Sequence, residues 1–341
     1  MIPDHAYQTA LDCFRRAESV VLTTHVKPDA DGLGSAFALA RWLRAAGKAV
    51  RLVVPTAPPE KYAFLDRGGR LEVAGRDVEV PAIPQPDLVA IVDTCTWQQL
   101  EGMEPLVAES GAEVLVIDHH RTRDALATVE LIDPDAAATV VLVHRLLVRA
   151  GAIIDADTAT DLFVGLAGDT DWFRLPNVEA DTLRLAGDLA EAGASPWDIH
   201  ARLNLSDSLS KLRLWGLAVA TLRPALDGRV TVLHVTREMF RDVGAEPGDT
   251  ENLINVCLQV RGALAGVMLV EADPGEVRVS LRSVPGVNVL QVAERFGGGG
   301  HMRAAGARLE GTLREVEARV LDALGPVLAD AVTASQTPEI A

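Results

Sequence analysis

The chain has 341 residues, 48% hydrophobic and 23% charged, a composition typical of soluble globular proteins with more than one domain. Its 48 acidic residues outnumber its 32 basic ones, giving a formal net charge of −16. Proteins that hold long nucleic acids usually carry a basic surface, so this charge argues against processive action on long strands. The sequence shows no apolar stretch of eighteen residues, no signal-peptide pattern near residue 1 and no Cys-x-x-C pair. We therefore expect a cytoplasmic protein with reduced cysteines.

The first half of the chain alternates short apolar runs with helix-like segments. Runs rich in β-branched residues predict buried parallel strands at 20–24, 50–54, 88–92 and 114–117. Helical patterns cover residues 35–46 and 97–109, and a helical tract from 137 to 192 breaks near Gly151 and at 168–178. Strands that alternate with helices predict βαβ units and a parallel sheet.

The second half begins with an amphipathic, leucine-rich segment, 195–222, which we interpret as a helical connection. Beyond it, strands are predicted at 229–235, 265–271 and 276–282, and helices at 250–260, 289–296 and 313–328. The expected fold class is therefore α/β, with an N-terminal parallel-sheet domain and a smaller mixed α/β domain. Their predicted bounds are 1–192 for the first domain, 193–224 for the connection, 225–330 for the second domain and 331–341 for a disordered tail.

Imidazoles and carboxylates directly follow three of the predicted strands. In chain order they are His25, Asp29, Asp31, Asp93, Asp118, His119 and His120. Because ligands gather at the carboxyl ends of parallel strands, we expect these side chains to lie close together. Taken singly, each has an ordinary alternative: Asp31 could cap a helix, and His25 could be a buried, hydrogen-bonded histidine.

This mixture of side chains suits divalent cations. Carboxylates with imidazoles favour Mn²⁺, Mg²⁺ or Fe²⁺, and the lack of nearby cysteines disfavours structural zinc. Since a single ion would leave several carboxylates uncompensated, we expect two ions about 3.5–4 Å apart that share a carboxylate. Asp169 and Asp171 interrupt an apolar helical pattern, which is costly unless they are paired or metal-bound. A polar turn at a helix end is the alternative.

Four successive glycines, 297–300, stand before His301 and a helix-like run. Such a run lets backbone N–H groups approach an anion closely. A flexible linker is the alternative, although the Ala-Ala-Gly that follows at 304–306 suits tight packing. Upstream, Arg282 and Ser283 end a predicted strand and are natural phosphate ligands, unless they form an ordinary strand end.

Together these motifs resemble the Asp-His-His phosphoesterase superfamily. They are most similar to its branch with a DHHA1 C-terminal domain, the nanoRNase and pAp-phosphatase (bifunctional oligoribonuclease) proteins. The resemblance covers about residues 19–328 and rests on motifs in a specific order and spacing. These are His25-x-x-Pro28-Asp29-x-Asp31, Asp93, Asp118-His119-His120, Asp169-Thr170, and the glycine run with His301.

The resemblance implies a role for each of these residues. It gives His25 and Asp29 to one metal ion, gives Asp31, His119 and Asp169 to the other, and makes Asp93 the bridge. It implies that His120 contacts the scissile phosphate and that Asp118 orients a neighbouring histidine. The implied substrate-binding residues are Asn255, Arg282, Ser283, Gly298, Gly299, Gly300 and His301. The chain departs from the family at Asp171, where a glycine commonly follows the Asp-Thr pair.

The implied activity is that of a divalent-metal-dependent phosphodiesterase and phosphatase, with two ions, foremost Mn²⁺ and otherwise Mg²⁺, Co²⁺ or Fe²⁺. Its expected partners are short RNA or DNA oligonucleotides (nanoRNA), linear dinucleotides such as pApA, and 3′-phosphoadenosine 5′-phosphate (pAp). These would be cleaved to mononucleotides. No membrane partner is expected, and homodimers are common in the family.

The alternatives are a cyclic-dinucleotide phosphodiesterase, which needs only a wider pocket, and a RecJ-like single-strand exonuclease, which the length and acidity disfavour. A family II pyrophosphatase lacks the glycine-histidine segment. A nucleotide sensor with a degenerate site would have lost metal ligands that are present here.

Overall fold

A computed structural model provides the structure, which describes residues 2–205 and 207–335. The chain divides into two compact units, Met1–Ser206 and Asp207–Ala341. The last helix continues to Ser335, and the rest of the predicted tail, 336–341, lies outside the described residues. Within the described part of the chain, no helix has the length and apolar character needed to cross a membrane.

The N-terminal unit is built on a six-stranded parallel sheet with the order β3-β2-β1-β4-β5-β6. Its strands are β1 Ser19–Thr23, β2 Ala49–Val54, β3 Leu71–Val73, β4 Leu88–Val92, β5 Glu113–Asp118 and β6 Val129–Ile132. The four strands predicted from the sequence are present, and the short β3 and β6 extend the sheet at its two edges. The strand order reverses between β1 and β4, which is where ligands bind in folds of this type.

Helices cover both faces of this sheet. They are α1 Asp4–Arg16, α2 Ala30–Ala45, α3 Glu104–Val107, α4 Thr139–Arg149, α5 Ala156–Asp169, α6 Ala180–Glu191 and α7 Pro196–Asn204. The helix predicted over 97–109 is wrong as one element, since a 3₁₀ turn, Trp97–Leu100, precedes the single-turn α3. Gly102, with φ of 82°, and Pro105 at the start of α3 interrupt the helix between them.

The antiparallel pair α2 and α5 packs closely because glycines face the contact. A Cβ added to Gly34 would meet the carbonyl oxygen of Asp161 at 2.4 Å, and one added to Gly168 would meet Cβ of Ala30 at 2.3 Å. Gly165 is equally confined, with Cγ1 of Val140 at 2.5 Å. This packing brings the first turn of α2 beside the last turn of α5.

The C-terminal unit has a mixed sheet with the order β11-β12-β10-β9-β8-β7, in which only β8 and β9 are parallel. Its strands are β7 Arg223–Ala225, β8 Val230–Val235, β9 Ala265–Asp273, β10 Glu276–Ser283, β11 Gly299–His301 and β12 Ala304–Glu310. Its helices are α8 Leu209–Val219, α9 Arg237–Val243, α10 Leu290–Arg295 and α11 Leu313–Ser335. Residues such as Val279 and Val320 form the core on one face, and Leu214 and Met268 belong to the core on the other.

Three predictions for this half of the chain are wrong in their details. The helix expected over 195–222 is two helices, α7 and α8, and the second starts at the N-cap Ser208. The helix expected over 250–260 consists of 3₁₀ segments, Pro247–Thr250 and Leu253–Gln259. The helix-like run after the glycines is the β-hairpin β11–β12, because burial in β12 alternates with the two-residue period of a strand.

Candidate metal centre

The carboxyl ends of three neighbouring strands carry the residues of the site. His25 lies two residues beyond β1, Asp93 comes directly after β4, and Asp118 is the last residue of β5. Since β1, β4 and β5 are adjacent in the sheet, these residues meet at one edge. Asp169, the last residue of α5, reaches the same edge through the close packing of α5 on α2.

The first cluster consists of His25, Asp29 and Asp93. Nε2 of His25 lies 3.5 Å from Oδ1 of Asp29 and 3.5 Å from Oδ2 of Asp93. Its Nδ1 lies 2.8 Å from the carbonyl oxygen of Val26, which suits a proton on Nδ1 and leaves Nε2 free to bind an ion. Asp29 is also the N-cap of α2 and accepts hydrogen bonds from the N–H groups of Asp31 and Gly32. The residue that caps this helix is therefore Asp29, and not Asp31 as the alternative interpretation of the sequence had it.

The second cluster consists of Asp31, His119 and Asp169. Nε2 of His119 lies 3.3 Å from Oδ2 of Asp169 and 4.0 Å from Oδ2 of Asp31. This nitrogen is buried and has no hydrogen-bond partner among the described residues, whereas Nδ1 lies 3.2 Å from the carbonyl oxygen of Ala136. A buried imidazole nitrogen that faces carboxylate oxygens fits a bound cation.

Asp93 lies between the two clusters. Its Oδ2 faces Nε2 of His25, and its Oδ1 lies 3.7 Å from Nε2 of His119. The residue is buried and has a φ of 63°, in the left-handed region, which is uncommon for a residue with a side chain. Its N–H donates to the carbonyl oxygen of Ile117 in the adjacent strand, at 3.0 Å. The neighbouring strand thereby holds the carboxylate between the two histidines.

Asp118 and His120 form a pair beside these clusters. Oδ1 of Asp118 accepts a hydrogen bond from Nδ1 of His120 at 2.7 Å and another from the N–H of His119 at 2.8 Å. Asp118 is fully buried, whereas the side chain of His120 is 54% exposed. The buried carboxylate of Asp118 therefore fixes the orientation of the His120 ring, which faces solvent.

The carboxylates repel one another strongly. Burial and the charges of Asp93 and Asp169 raise the pKa of Asp31 well above its usual value. Burial also raises the pKa of Asp169 to about 6, although the nearby His119 opposes the shift. For His25, burial favours the neutral form, but the carboxylates around it outweigh burial and raise the pKa to about 10. Buried carboxylates in such numbers need positive charge, and divalent cations would supply it.

The donor set also indicates the kind of metal. It contains carboxylate oxygens and imidazole nitrogens but no thiolate, which suits Mn²⁺, Mg²⁺ or Fe²⁺ better than structural zinc. Asp171, the departure from the family pattern, does not join the described clusters. Its side chain is 53% exposed, and Oδ1 accepts a hydrogen bond from Nη2 of Arg174 at 2.7 Å.

The predicted substrate-binding residues of the C-terminal unit are only partly brought together. Arg282, Ala304 and His301 stand opposite one another across β10, β12 and β11, and thus on one face of the sheet. Ser283 is on the other face, where its buried hydroxyl donates to the carbonyl oxygen of Val287 at 2.6 Å. Asn255 is exposed in a 3₁₀ segment.

The glycine run is confined by the hairpin. A Cβ on Gly298 would meet the carbonyl oxygen of Gly306 at 2.1 Å, and one on Gly300 would meet that of Ala304 at 2.5 Å. A Cβ added to Gly299 would have no neighbour within 4 Å. Gly298 and Gly300 are therefore needed, before any role in binding, for close packing against β12.

Thr139 is a site residue that the sequence did not reveal. Its hydroxyl donates to Oδ1 of Asp93 at 2.9 Å, and its N–H donates to Oδ2 of Asp31 at 2.6 Å. The N–H of Val140 donates to Oδ1 of Asp31 at 2.9 Å. The only local signal is a threonine at the start of a helical pattern, which is commonplace, and the two partners are 46 and 108 residues away in sequence.

Comparisons with known proteins identify the family of this chain. The model of the DHH family N-terminal domain matches residues 19–166, and the model of the DHHA1 domain matches 227–329. A curated relative, the bifunctional oligoribonuclease and PAP phosphatase NrnA of Thermus thermophilus, is 33% identical over 306 residues, 89% of each chain. The chain belongs to the DHH/DHHA1 phosphoesterase family.

Two further relatives extend along almost the whole of this DHH/DHHA1 protein. The enzyme of the same name from Bacillus subtilis is 25% identical over 86% of this chain and 90% of its own. The crystal structure of an exopolyphosphatase-related protein from Bacteroides fragilis has a TM-score of 0.89 and 26% identity, covering 96% and 99% of the two chains. The family resemblance and the α/β fold class predicted from the sequence are confirmed, and the protein is a hydrolase.

Proposed function

We propose that this protein is a two-metal phosphoesterase that hydrolyses short oligonucleotides, linear dinucleotides such as pApA, and pAp to mononucleotides. The observation that carries the proposal is the carboxylate of Asp93, whose two oxygens face His25 and His119 in two different clusters. The names of the Thermus and Bacillus relatives support the substrate class.

In this proposal, His25 and Asp29 would hold one divalent ion. Asp31, His119 and Asp169 would hold the other, and Asp93 would be shared by both. Mn²⁺ is the preferred ion, with Mg²⁺, Co²⁺ or Fe²⁺ as alternatives. When bound, two such ions neutralise phosphate oxygens and make water a better nucleophile at neutral pH.

Asp118 and His120 act on the substrate side of this centre. Because Asp118 accepts from Nδ1 of His120, the ring is held in one orientation and Nε2 is left for the phosphate. Asp118 is then a positioning residue. His120 is the residue that contacts the scissile phosphate.

In the C-terminal unit, Arg282 and His301 take the terminal phosphate and the sugar or base, because they share one face of the sheet. The other residues assigned to this role are Gly298, Gly299 and Gly300, with Asn255 as a weaker candidate. Ser283 contributes indirectly, since its hydroxyl holds the turn at Val287.

We place the protein in the cytoplasm, in keeping with its three unpaired cysteines.

A substrate panel tests the proposal. Purified protein with Mn²⁺ is incubated with pAp, pApA, a five-nucleotide RNA, a 20-nucleotide DNA, cyclic di-AMP and pyrophosphate. We expect turnover of the first three. Turnover of pyrophosphate alone would refute the proposal, whereas preference for cyclic di-AMP or for the 20-mer would replace it with one of the two alternative activities.

A further inference from the structure

Four arginines line one cavity in the C-terminal unit, beside β10 and α9. The cavity has a volume of about 400 Å³, within the range of small-ligand sites. The arginines are Arg237, Arg241, Arg278 and Arg308. Glu271 is the one carboxylate among the lining residues, and Phe240 contributes an aromatic wall. In a chain of net charge −16, this concentration of guanidinium groups indicates an anion.

Two of these arginines stand directly opposite each other. Arg278 on β10 pairs in register with Arg308 on β12, so their side chains share a face of the sheet. Like charges in such a pair destabilise a sheet unless an opposite charge lies nearby. Arg308 donates to Glu276 at 2.6 Å but is 62% exposed, so solvent weakens that ion pair.

Arg278 has one N–H group without a hydrogen-bond acceptor in the described part of the chain. Its Nη2 donates to the hydroxyl of Thr250, but its Nε is buried and has no hydrogen-bond partner among the residues that the structure describes. A buried N–H without an acceptor is costly. The rest of this half-buried guanidinium group lines the cavity, where a phosphate oxygen could accept from it.

The other two arginines stand four residues apart on α9, and thus on one side of that helix. Neither guanidinium group forms an ion pair within 207–335. Between them in sequence, Phe240 is half-buried and packs partly against the core of this unit. Arginine donors beside an aromatic ring match the two parts of a nucleotide, phosphate and base.

We propose that this cavity binds the phosphate of a nucleotide between Arg278 and Arg308, with the base or sugar against Phe240. The nucleotide could be the distal end of an oligonucleotide substrate or a separate molecule. The chemistry of recognition is the same in both cases.

The position of the cavity favours the distal end of a substrate, an assignment that rests on the proposed function. Arg278 and Arg282 lie on the same face of β10, four residues and about 13 Å apart. A second cavity, of about 430 Å³, is lined by Arg278, Arg308, Gly297 and Gly298, and so joins the arginine pair to the glycine run. The first cavity is therefore placed to read nucleotides beyond the one held at Arg282.

Two single variants, Arg241→Gln and Arg308→Gln, test this inference in the full chain. Both residues are exposed, so their substitution should leave the fold intact. Arg314→Gln on α11 is the matched control, because it removes the same charge from an exposed position of the same unit, outside the cavity. The probes are a fluorescently labelled five-nucleotide RNA and 5′-AMP, with EDTA present so that neither probe is cleaved.

We expect the Kd for the RNA to rise about tenfold in each cavity variant, as for the loss of a charge-assisted contact. The slope of log Kd against log salt concentration should also fall by about 0.7 for each arginine removed, a change that a purely structural role would not produce. The control should match the wild type in both measurements.

The two probes distinguish the sources of the nucleotide. Weaker binding of the RNA alone would assign the cavity to the distal end of a substrate, and weaker binding of 5′-AMP would assign it to a separate nucleotide. The inference is overturned if wild type and cavity variants share the same Kd and salt slope, if the control loses as much, or if the wild type binds neither probe. Since binding is measured without turnover, failure of the proposed function in the substrate panel would be seen separately.

Discussion

The hydroxyl of Thr139 donates a 2.9 Å hydrogen bond to Oδ1 of Asp93, the carboxylate that lies between the two histidine clusters. The N–H of the same threonine donates to Asp31, and so does that of Val140. Thr139 is the first residue of α4 and is completely buried. The first turn of one helix therefore orients two of the carboxylates that we assign to metal ions.

Replacement of Thr139 by valine should weaken metal binding. Thr139→Val keeps the shape of the side chain but removes the donor to Asp93, and we expect the affinity for Mn²⁺ to fall about 10- to 100-fold. Titration of pAp turnover with Mn²⁺ measures this. Thr139→Ser, which keeps the hydroxyl, should bind Mn²⁺ nearly as tightly as the wild type. An unchanged Mn²⁺ affinity in the valine variant would show that the hydrogen bond does not orient Asp93.

Asp118→Asn should lower kcat more than it weakens metal binding. The substitution removes the charge that holds Nδ1 of His120, and we expect kcat to fall about 100-fold. Because Asp118 acts through His120, adding the substitution to His120→Ala should cost little more than His120→Ala alone. Losses that multiply in the double variant would contradict this relation, and steady-state kinetics of the three variants provide the test.

Gly168→Ala should damage both stability and the metal centre. The new methyl group would lie where Cβ of Ala30 now approaches, forcing α5 away from α2, and we expect a loss of about 1–3 kcal/mol in the free energy of unfolding. Since Asp169 is the next residue, Mn²⁺ affinity should fall as well.

Gly187→Ala is the control for this prediction. It also lies inside a helix, α6, but has nothing within 4 Å of its added Cβ, so it should stabilise the protein by up to about 1 kcal/mol. Urea denaturation of the two variants measures both effects. Equal free energies of unfolding in the two variants would show that the contact between α2 and α5 can accommodate a methyl group at position 168.

Much of the candidate site could be predicted because its residues follow strands. His25, Asp93 and Asp118 come at the ends of β-branched runs, and the rule that parallel strands gather ligands at their carboxyl ends places them together without coordinates. The same patterns revealed four strands of the first sheet. They did not reveal β3 and β6, because strands of three and four residues at a sheet edge have too few buried positions to show a period.

The remaining features depend on contacts between distant segments. Thr139 contacts Asp31, which is 108 residues away in sequence. Position 168 has no room for a side chain larger than that of glycine, because Ala30 of another helix lies against it. The sequence predicts that the glycine run leads into a helix-like segment. Its pairing with Ala304 and Gly306 instead makes a hairpin, and only the partner strand β10 decides between the two.

Arg282→Gln should weaken substrate binding. Loss of a guanidinium that contacts a phosphate should raise the KM for pAp about 10- to 100-fold and change kcat less. Arg295→Gln on the exposed side of α10 removes the same charge nearby and should leave KM unchanged. An effect of equal size in both variants would indicate a general loss of positive charge rather than a contact at Arg282.

The most direct test of the proposed centre is the number of Mn²⁺ ions bound per chain by Asp93→Asn, measured by equilibrium dialysis. Asp171→Asn is the matched control, since it makes the same change at an exposed carboxylate outside the clusters. We predict two ions in the wild type and the control, and fewer than two with loss of pAp turnover in Asp93→Asn. Two tightly bound ions with normal turnover in Asp93→Asn would contradict the assignment of Asp93 as the residue shared by both metals.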